Sequence, residues 1–334
     1  MRKFIKRLLL FAAIPLITLI LGYVVFDPFK VLYKCDDYSD TFVILNRDYV
    51  SCEHYINKKN KYHYNSFIFG SSRTIAFRAS SWKKYLNADA SILTFDAAAE
   101  NIYGIHNKLK YLDKTNAKID NVILILCRDW GFEQGESLNG HIFMKHPSFS
   151  ENTRINFQFK FFKSYMNTKF LLAYYNFKCT NNYKPWMKFI ISNEKATLDS
   201  ITNEMRIPNI DKTIDADRKK YIVEKGKLFY DRKGETADSI NRIKKHQIFV
   251  LKDIKRLLEK HKTNYKIISG PLYDQITFSK NDKKILNAIF GNKFYDFTGK
   301  NKFTENKENY YESSHFRAHV GNEILETIYK DQLY

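Results

Sequence analysis

Two short stretches at opposite ends of the chain carry the residue types that acyl transfer needs: Gly70-Ser71-Ser72-Arg73, and Tyr310-Tyr311-Glu312-Ser313-Ser314-His315-Phe316. Glu312 precedes His315 by three residues, on a loop that enters the last expected helix. A carboxylate so placed can hold the imidazole in one tautomer while the other ring nitrogen faces a serine hydroxyl. Histidine suits the part of general base because imidazole titrates near neutrality. Ser72 follows an apolar run closed by Gly70, which predicts the carboxyl end of a strand, where open α/β sheets bind ligands. Amides at the start of a following helix would there receive an oxyanion. Each stretch also has a plainer reading: Ser71 and Ser72 as helix caps, and Glu312 and His315 as residues that cap and pack the last helix. Both stretches standing at expected element boundaries favour chemistry over capping.

Metal and cofactor chemistry find less support. His315 and His319 share a helix face, but no third ligand or HExxH pattern accompanies them. A metal-dependent hydrolase would need His141 or His146 beside His315. Cys35, Cys52, Cys127 and Cys179 show no CxxC spacing, so zinc is not indicated. Cys35 and Cys52 are candidates for pairing in an oxidising compartment, and Cys127 reads as a buried thiol. No P-loop or dinucleotide fingerprint is present, and no cofactor is expected.

The elements that must bring the two stretches together can be read from the apolar pattern. Strands are expected at 65–70, 91–95, 121–127, 265–269 and 294–297. Helices are expected at 78–86, from Ile102 through Leu112, at 239–261, at 280–290 and from Val320. Strand and helix alternate, and 121–127 is wholly apolar, which predicts a parallel, doubly wound sheet covered on both faces. Residues 131–238 interrupt that rhythm. They are rich in Phe, Tyr, Lys and Asn and read as an insertion or cap with helices at 154–176 and 184–205. The expected division is a tip and anchor at 1–30, a connector with some irregular structure at 31–63, an α/β domain at 64–130 and 239–334, and the insertion.

The order of serine after the first strand, then an α/β body, then acid and histidine together resembles the SGNH (GDSL-like) esterase and acyltransferase superfamily. In that superfamily the third residue of a GDS-type block is the nucleophile, and an acid-x-x-His block closes the domain. Gly70-Ser71-Ser72-Arg73 and Glu312-Ser313-Ser314-His315 match those blocks, with Glu in place of the more usual Asp. The resemblance is closer to membrane-anchored, GSS-type members, such as the D-alanine transfer protein of teichoic-acid modification and the alginate-acetylation proteins, than to secreted lipases. The resemblance implies a three-layer, flavodoxin-like fold with catalytic Ser72, His315 and Glu312. It covers residues 64–130 and 239–334 and departs in the middle. The stretch matching the block that supplies an oxyanion glycine, Asp96-Ala97-Ala98-Ala99-Glu100-Asn101, has none. Leu126-Cys127-Arg128-Asp129 carries Arg where the family has Asn. The Ala98 or Ala99 amide, or the Asn101 or Arg128 side chain, would then complete the oxyanion hole. Asp129 and Arg73 join the candidate substrate-binding set. A lost oxyanion donor costs roughly 3 kcal/mol of transition-state stabilisation.

Location follows from the first segment. Arg2, Lys3, Lys6 and Arg7 precede an uncharged run from Leu8 to Phe26. At helical rise this run spans about 28 Å, close to the hydrocarbon thickness of a bilayer. The basic flank predicts a cytoplasmic N-terminus, and Gly22–Pro28 lacks a small-x-small cleavage pattern. The expectation is a single-pass membrane protein whose main domain lies outside the cytoplasm. A formal charge of +19 favours anionic partners, and this topology sets nucleic acid aside. An acylated carbohydrate or other envelope ester, together with envelope-assembly proteins, are the expected partners. The rival reading is a non-catalytic binding or scaffold component of a polysaccharide export or modification assembly.

Overall fold

In the computed structural model, five strands form one parallel sheet: β1 (Ser66–Phe69), β2 (Ile92–Thr94), β3 (Asn121–Leu126), β4 (Asn264–Ser269) and β5 (Phe294–Asp296). Their spatial order is β2-β1-β3-β4-β5, and every pairing is parallel. The longer helices are α1 (Arg2–Phe26), α2 (Arg47–Tyr62), α3 (Ile102–Lys114), α4 (Arg154–Tyr165), α5 (Thr168–Thr180), α6 (Lys245–Lys260), α7 (Lys280–Phe290) and α8 (Ala318–Tyr329). The structure describes residues 1–39, 41–133, 140–194, 196–224, 229–232 and 234–330, without the side chains of residues 2, 5, 6, 8–10 and 12.

The strands are apolar on both sides because both sides are covered. Alternate residues separate cleanly between two cores. Phe67, Phe69, Val122, Leu124, Leu126 and Ile267 join the layer built by α2, α3, α6 and α7. Ile68, Ile123, Ile125 and Ile268 join the layer built by the short helix Ala79–Lys83 and by α8. The predicted mixed α/β class with a parallel central sheet is therefore present, in three layers.

Several expectations are corrected. The connector at 31–63 contains α2, whose Cys52 and Tyr55 belong to the main core. Its mean hydropathy is low, but buried charges fix it. The fully buried Lys108 ammonium of α3 bridges Asp48 of α2 at 2.9 Å and Glu100 at 2.7 Å. Burial raises the Asp48 carboxyl, but Lys108, Lys145 and the His146 amide outweigh it and hold its pKa below the ordinary value. The helix expected at 78–86 shrinks to Ala79–Lys83. The expected helix at 184–205 is replaced by a single turn, Pro185–Met187, and a short antiparallel pair, Thr197–Leu198 with Met205–Arg206. The insertion, 131–238, lies partly outside the described residues. All four cysteines are free: Cys52 is buried in the core, and Cys35 Sγ meets the Asp37 carbonyl at 2.9 Å.

Among the described residues, no helix is long and apolar enough to cross a membrane. Part of the expected anchor, the side chains of Leu8, Leu9, Leu10 and Ala12, lies outside those residues. The C-terminal end of α1 packs on the insertion, with Tyr23 against Phe162 and Tyr165, and Phe26 near Tyr174 and Tyr175.

One glycine decides how α8 meets the sheet. A Cβ on Gly321 would overlap the backbone carbonyl of Ala76, which ends the turn that begins at Ser72. Backbone cannot yield as a flexible side chain can, so Gly321→Ala must push α8 away from that turn. The expected cost is about 1–3 kcal/mol, in the range of core overpacking. It should be read as a lower urea midpoint with an unchanged m-value.

Candidate active site

Ser72 stands immediately beyond the carboxyl end of β1. Gly70 makes the exit possible: a Cβ there would meet the Ile125 Cβ of β3 at 2.8 Å, so only glycine lets the chain turn this close to its neighbour. The two serines that follow then part in role. Ser71 caps the next turn, its Oγ accepting from the Arg73 amide at 3.4 Å and lying 3.0 Å from Cys127 Sγ. Ser72 Oγ instead lies 2.7 Å from His315 Nε2. Residues Ser72–Ala76 form a short 3₁₀ helix, separate from the α-helix Ala79–Lys83 that follows. Any oxyanion is therefore met by individual amides, with little help from a helix dipole.

The base and acid come from a tight antiparallel hairpin, Tyr310–Glu312 with His315–Phe316. His315 Nδ1 is hydrogen-bonded to Glu312 Oε1. An ionised carboxylate only accepts, so Nδ1 carries the proton and Nε2 accepts from the Ser72 hydroxyl. Glu312 Oε2 takes a second bond from the Ser314 amide at 2.9 Å. Burial raises the Glu312 carboxyl, but the bonds from His315 and Ser314, with the charge of Arg73, more than offset it. Its pKa stays below the ordinary glutamate value. The result is an ionised carboxylate, a fixed tautomer and a serine hydroxyl hydrogen-bonded in one line.

Arg73 braces this line. Its guanidinium grips Asp129 through two bonds of 2.7 and 2.8 Å, while Nε donates to the Ser314 carbonyl at 3.1 Å. One side chain thus ties the tip of β3 to the loop between Glu312 and His315. The Arg73 pair also depresses the Asp129 pKa against the opposing effect of burial. Both residues were expected to bind substrate; the structure bonds them to each other.

The structure sorts the other candidates. Ala98 shares a cavity wall with Ser72. Among the described residues, neither the Ser72 amide nor those of Ala98 and Ala99 has a hydrogen-bond acceptor. Ala99 has φ 48°, in the left-handed region that glycine ordinarily fills, at a cost of about 1 kcal/mol. Asn101 has a capping role. Its Oδ1 caps α3 by accepting from Tyr103 and Gly104, and its Nδ2 donates to the Glu133 carbonyl. The Arg128 guanidinium is paired through its terminal nitrogens with Asp238 at 2.7 Å and with Asp274, while its Nε has no partner among the described residues. His146 is bonded to Glu53, and His141 packs against Phe29 and Phe161, so neither completes a metal site with His315. Among the described residues, no cluster of three or more metal-ligating side chains exists.

Sequence reasoning missed a second charged pair at the site. Arg47 Nε meets Asp96 Oδ1 at 2.8 Å, and Asp96 Oδ2 accepts from Thr74 of the Ser72 turn at 3.0 Å. Asp96 follows β2 at the ligand-binding end of the sheet, which was the available signal. Arg47 gave none, because its helix was not expected.

Ser72 lies on the wall between two cavities. One, about 330 Å³, also touches Ala98, Arg47 and Asp96. The other, about 580 Å³, contains Glu312, His315, Tyr221, Tyr311 and Glu194. Fold and site together define a doubly wound α/β protein with a Ser-His-Glu hydrogen-bonded relay at the carboxyl edge of its sheet. The chain matches no protein-family model and no curated protein sequence.

Proposed function

We propose that this protein is a serine esterase or O-acyltransferase of the SGNH-like type, anchored in a membrane and acting outside the cytoplasm on an envelope or exported polysaccharide ester. The observation that carries the reading is the 2.7 Å contact between Ser72 Oγ and His315 Nε2, made across the whole domain and completed by Glu312. In this mechanism Ser72 attacks the ester carbon as His315 takes its proton. The ester C–O bond breaks as His315 returns that proton to the leaving alkoxide. Water or a sugar hydroxyl then releases the acyl group by the same steps in reverse. The oxyanion is received by the amides of Ser72 and Ala98.

The envelope setting rests on the basic-flanked apolar run at the N-terminus and on the bands of exposed apolar side chains along α1, Phe11, Ile14, Ile17 and Leu21 among them. One observation favours the non-catalytic alternative: Asn101 and Arg128, the side-chain oxyanion candidates, are both engaged elsewhere. A fluorophosphonate probe separates the readings. Labelling of the wild type that disappears in Ser72→Ala is the expected result. Folded wild-type protein that takes no label would leave a scaffold.

A further inference from the structure

The two cavities that meet at Ser72 are both lined largely by apolar side chains, and their placement relative to His315 assigns them. In an ester's tetrahedral intermediate, the alkoxy oxygen must face the imidazole, since that nitrogen protonates it on departure. Of the two, His315 and Glu312 border only the larger cavity, where Tyr221, Tyr311, Glu194 and Thr213 bring polar groups beside the apolar Ile75, Met205, Ile207 and Ile210. The alcohol therefore occupies that side. The acyl chain must then extend the other way, past Ser72 and the Ala98 amide, into the smaller cavity.

That smaller cavity is apolar. Val43, Ile44, Val50, Ile142, Leu198 and Met205 line it, drawn from the connector, α2 and the insertion. Its neutral polar groups are the hydroxyls of Tyr38, Thr41 and Ser192. Its charged groups, Arg47 and Asp96, are paired with each other at 2.8 Å. Arg47 is further bound to Asn203, and Asp96 to Thr74. No unpaired carboxylate among the described lining residues is left to receive an ammonium, so an aminoacyl group has no counter-charge here. An acetyl group would fill little of the space. A cavity of about 150 Å³ holds a six-carbon ring, so one of about 330 Å³ suits an aliphatic acyl chain of roughly six to ten carbons.

We infer that the acyl group handled by Ser72 is a neutral, medium-length aliphatic chain, seated between the connector and the insertion. The inference rests on the proposed acyl-transfer reading of the same site.

The test is the rate of Ser72 acylation in the full chain by p-nitrophenyl esters from two to twelve carbons. It is followed by p-nitrophenol release and intact mass, so hydrolysis and transfer are equally visible. The second-order rate is expected to climb about fourfold per added methylene, peak at roughly six to ten carbons, and fall beyond. Leu198→Trp should move the peak to shorter chains, and Ile142→Ala to longer ones. A flat series, a maximum at acetyl, or a peak unmoved in both variants would overturn the acyl-chain assignment while fluorophosphonate labelling of Ser72 still upheld the esterase reading. Absence of both labelling and acylation would overturn the two together.

Discussion

Replacing Ser72 with alanine is expected to lower ester turnover by roughly 10⁴-fold or more, with little change in the unfolding midpoint. Among the described residues, the hydroxyl's one side-chain partner is His315 Nε2. That ring is a third exposed, so water can take the vacated bond and stability should hold. His315→Ala should cost a similar factor, since an unactivated hydroxyl attacks poorly. The double variant should lose no more than either single one, because nucleophile and base act as a unit. Ser71→Ala is the control. Ser71 Oγ faces the Arg73 amide and Cys127, so its loss weakens a cap and leaves the relay standing. Measured kcat values in which the Ser72 and His315 losses simply multiply would show that the two do not act together. A Ser71 variant as impaired as Ser72→Ala would move the nucleophile by one residue.

That the relay could be anticipated, and its surroundings could not, has a physical basis. The strands announced themselves because each is a short apolar run, and a run buried on both faces needs no partner's sequence to identify it. Glu312 and His315 are three residues apart, so their contact is local and readable. Gly70 before Ser71 and Ser72 marked the strand's end, leaving only the choice between adjacent serines. By contrast, what Arg128 does depends on Asp238 and Asp274, more than a hundred positions away. Asn101 looked like a free amide because its capping function depends on where α3 begins. Helix α2 was the largest surprise. Its exposed face is crowded with Lys and Asn, and its buried charges, Arg47 and Asp48, find partners only in the folded chain. Charged residues in an irregular-looking stretch ordinarily signal solvent; here they hold a helix against the sheet.

The same long-range pairing explains why the connector and insertion, unmatched by any motif, bear on chemistry. Val43 and Ile44 of the one and Leu198 and Met205 of the other close over the Ser72 side of the sheet. The isolated bridge between Val43 and Ile191 joins the two segments directly. The α/β body thus presents the reacting groups, while the two added segments shape the space beside them. On the proposed acyl-transfer reading, this division would let one relay serve different acyl groups by exchange of the roof alone.

Glu312→Gln is expected to be nearly as damaging as loss of the nucleophile, on the order of 10³- to 10⁴-fold in kcat, although it changes one atom. The hairpin dictates the sign. The Ser314 amide donates to Glu312 Oε2, so the carboxamide oxygen of the variant must occupy that place, because an NH₂ group cannot accept. The NH₂ then faces His315 Nδ1 and forces that nitrogen to become an acceptor. The proton moves to Nε2, where it meets Ser72 and can no longer take the hydroxyl's proton. Glu312→Ala, which imposes no tautomer, should therefore retain more activity than the near-isosteric Gln. A second readout separates this from damage to the fold. The Glu312 pKa lies below its ordinary value of 4.5, so in the native protein its ionised form contributes stability that is fully present above that value. This contribution fades as pH falls through the lower folded pKa. The stability gap between wild type and Glu312→Gln should consequently narrow in acid, while the gap in kcat at neutral pH stays wide. A Gln variant within tenfold of wild type, or one outperforming Ala, would mean that the carboxylate does not set the tautomer of His315.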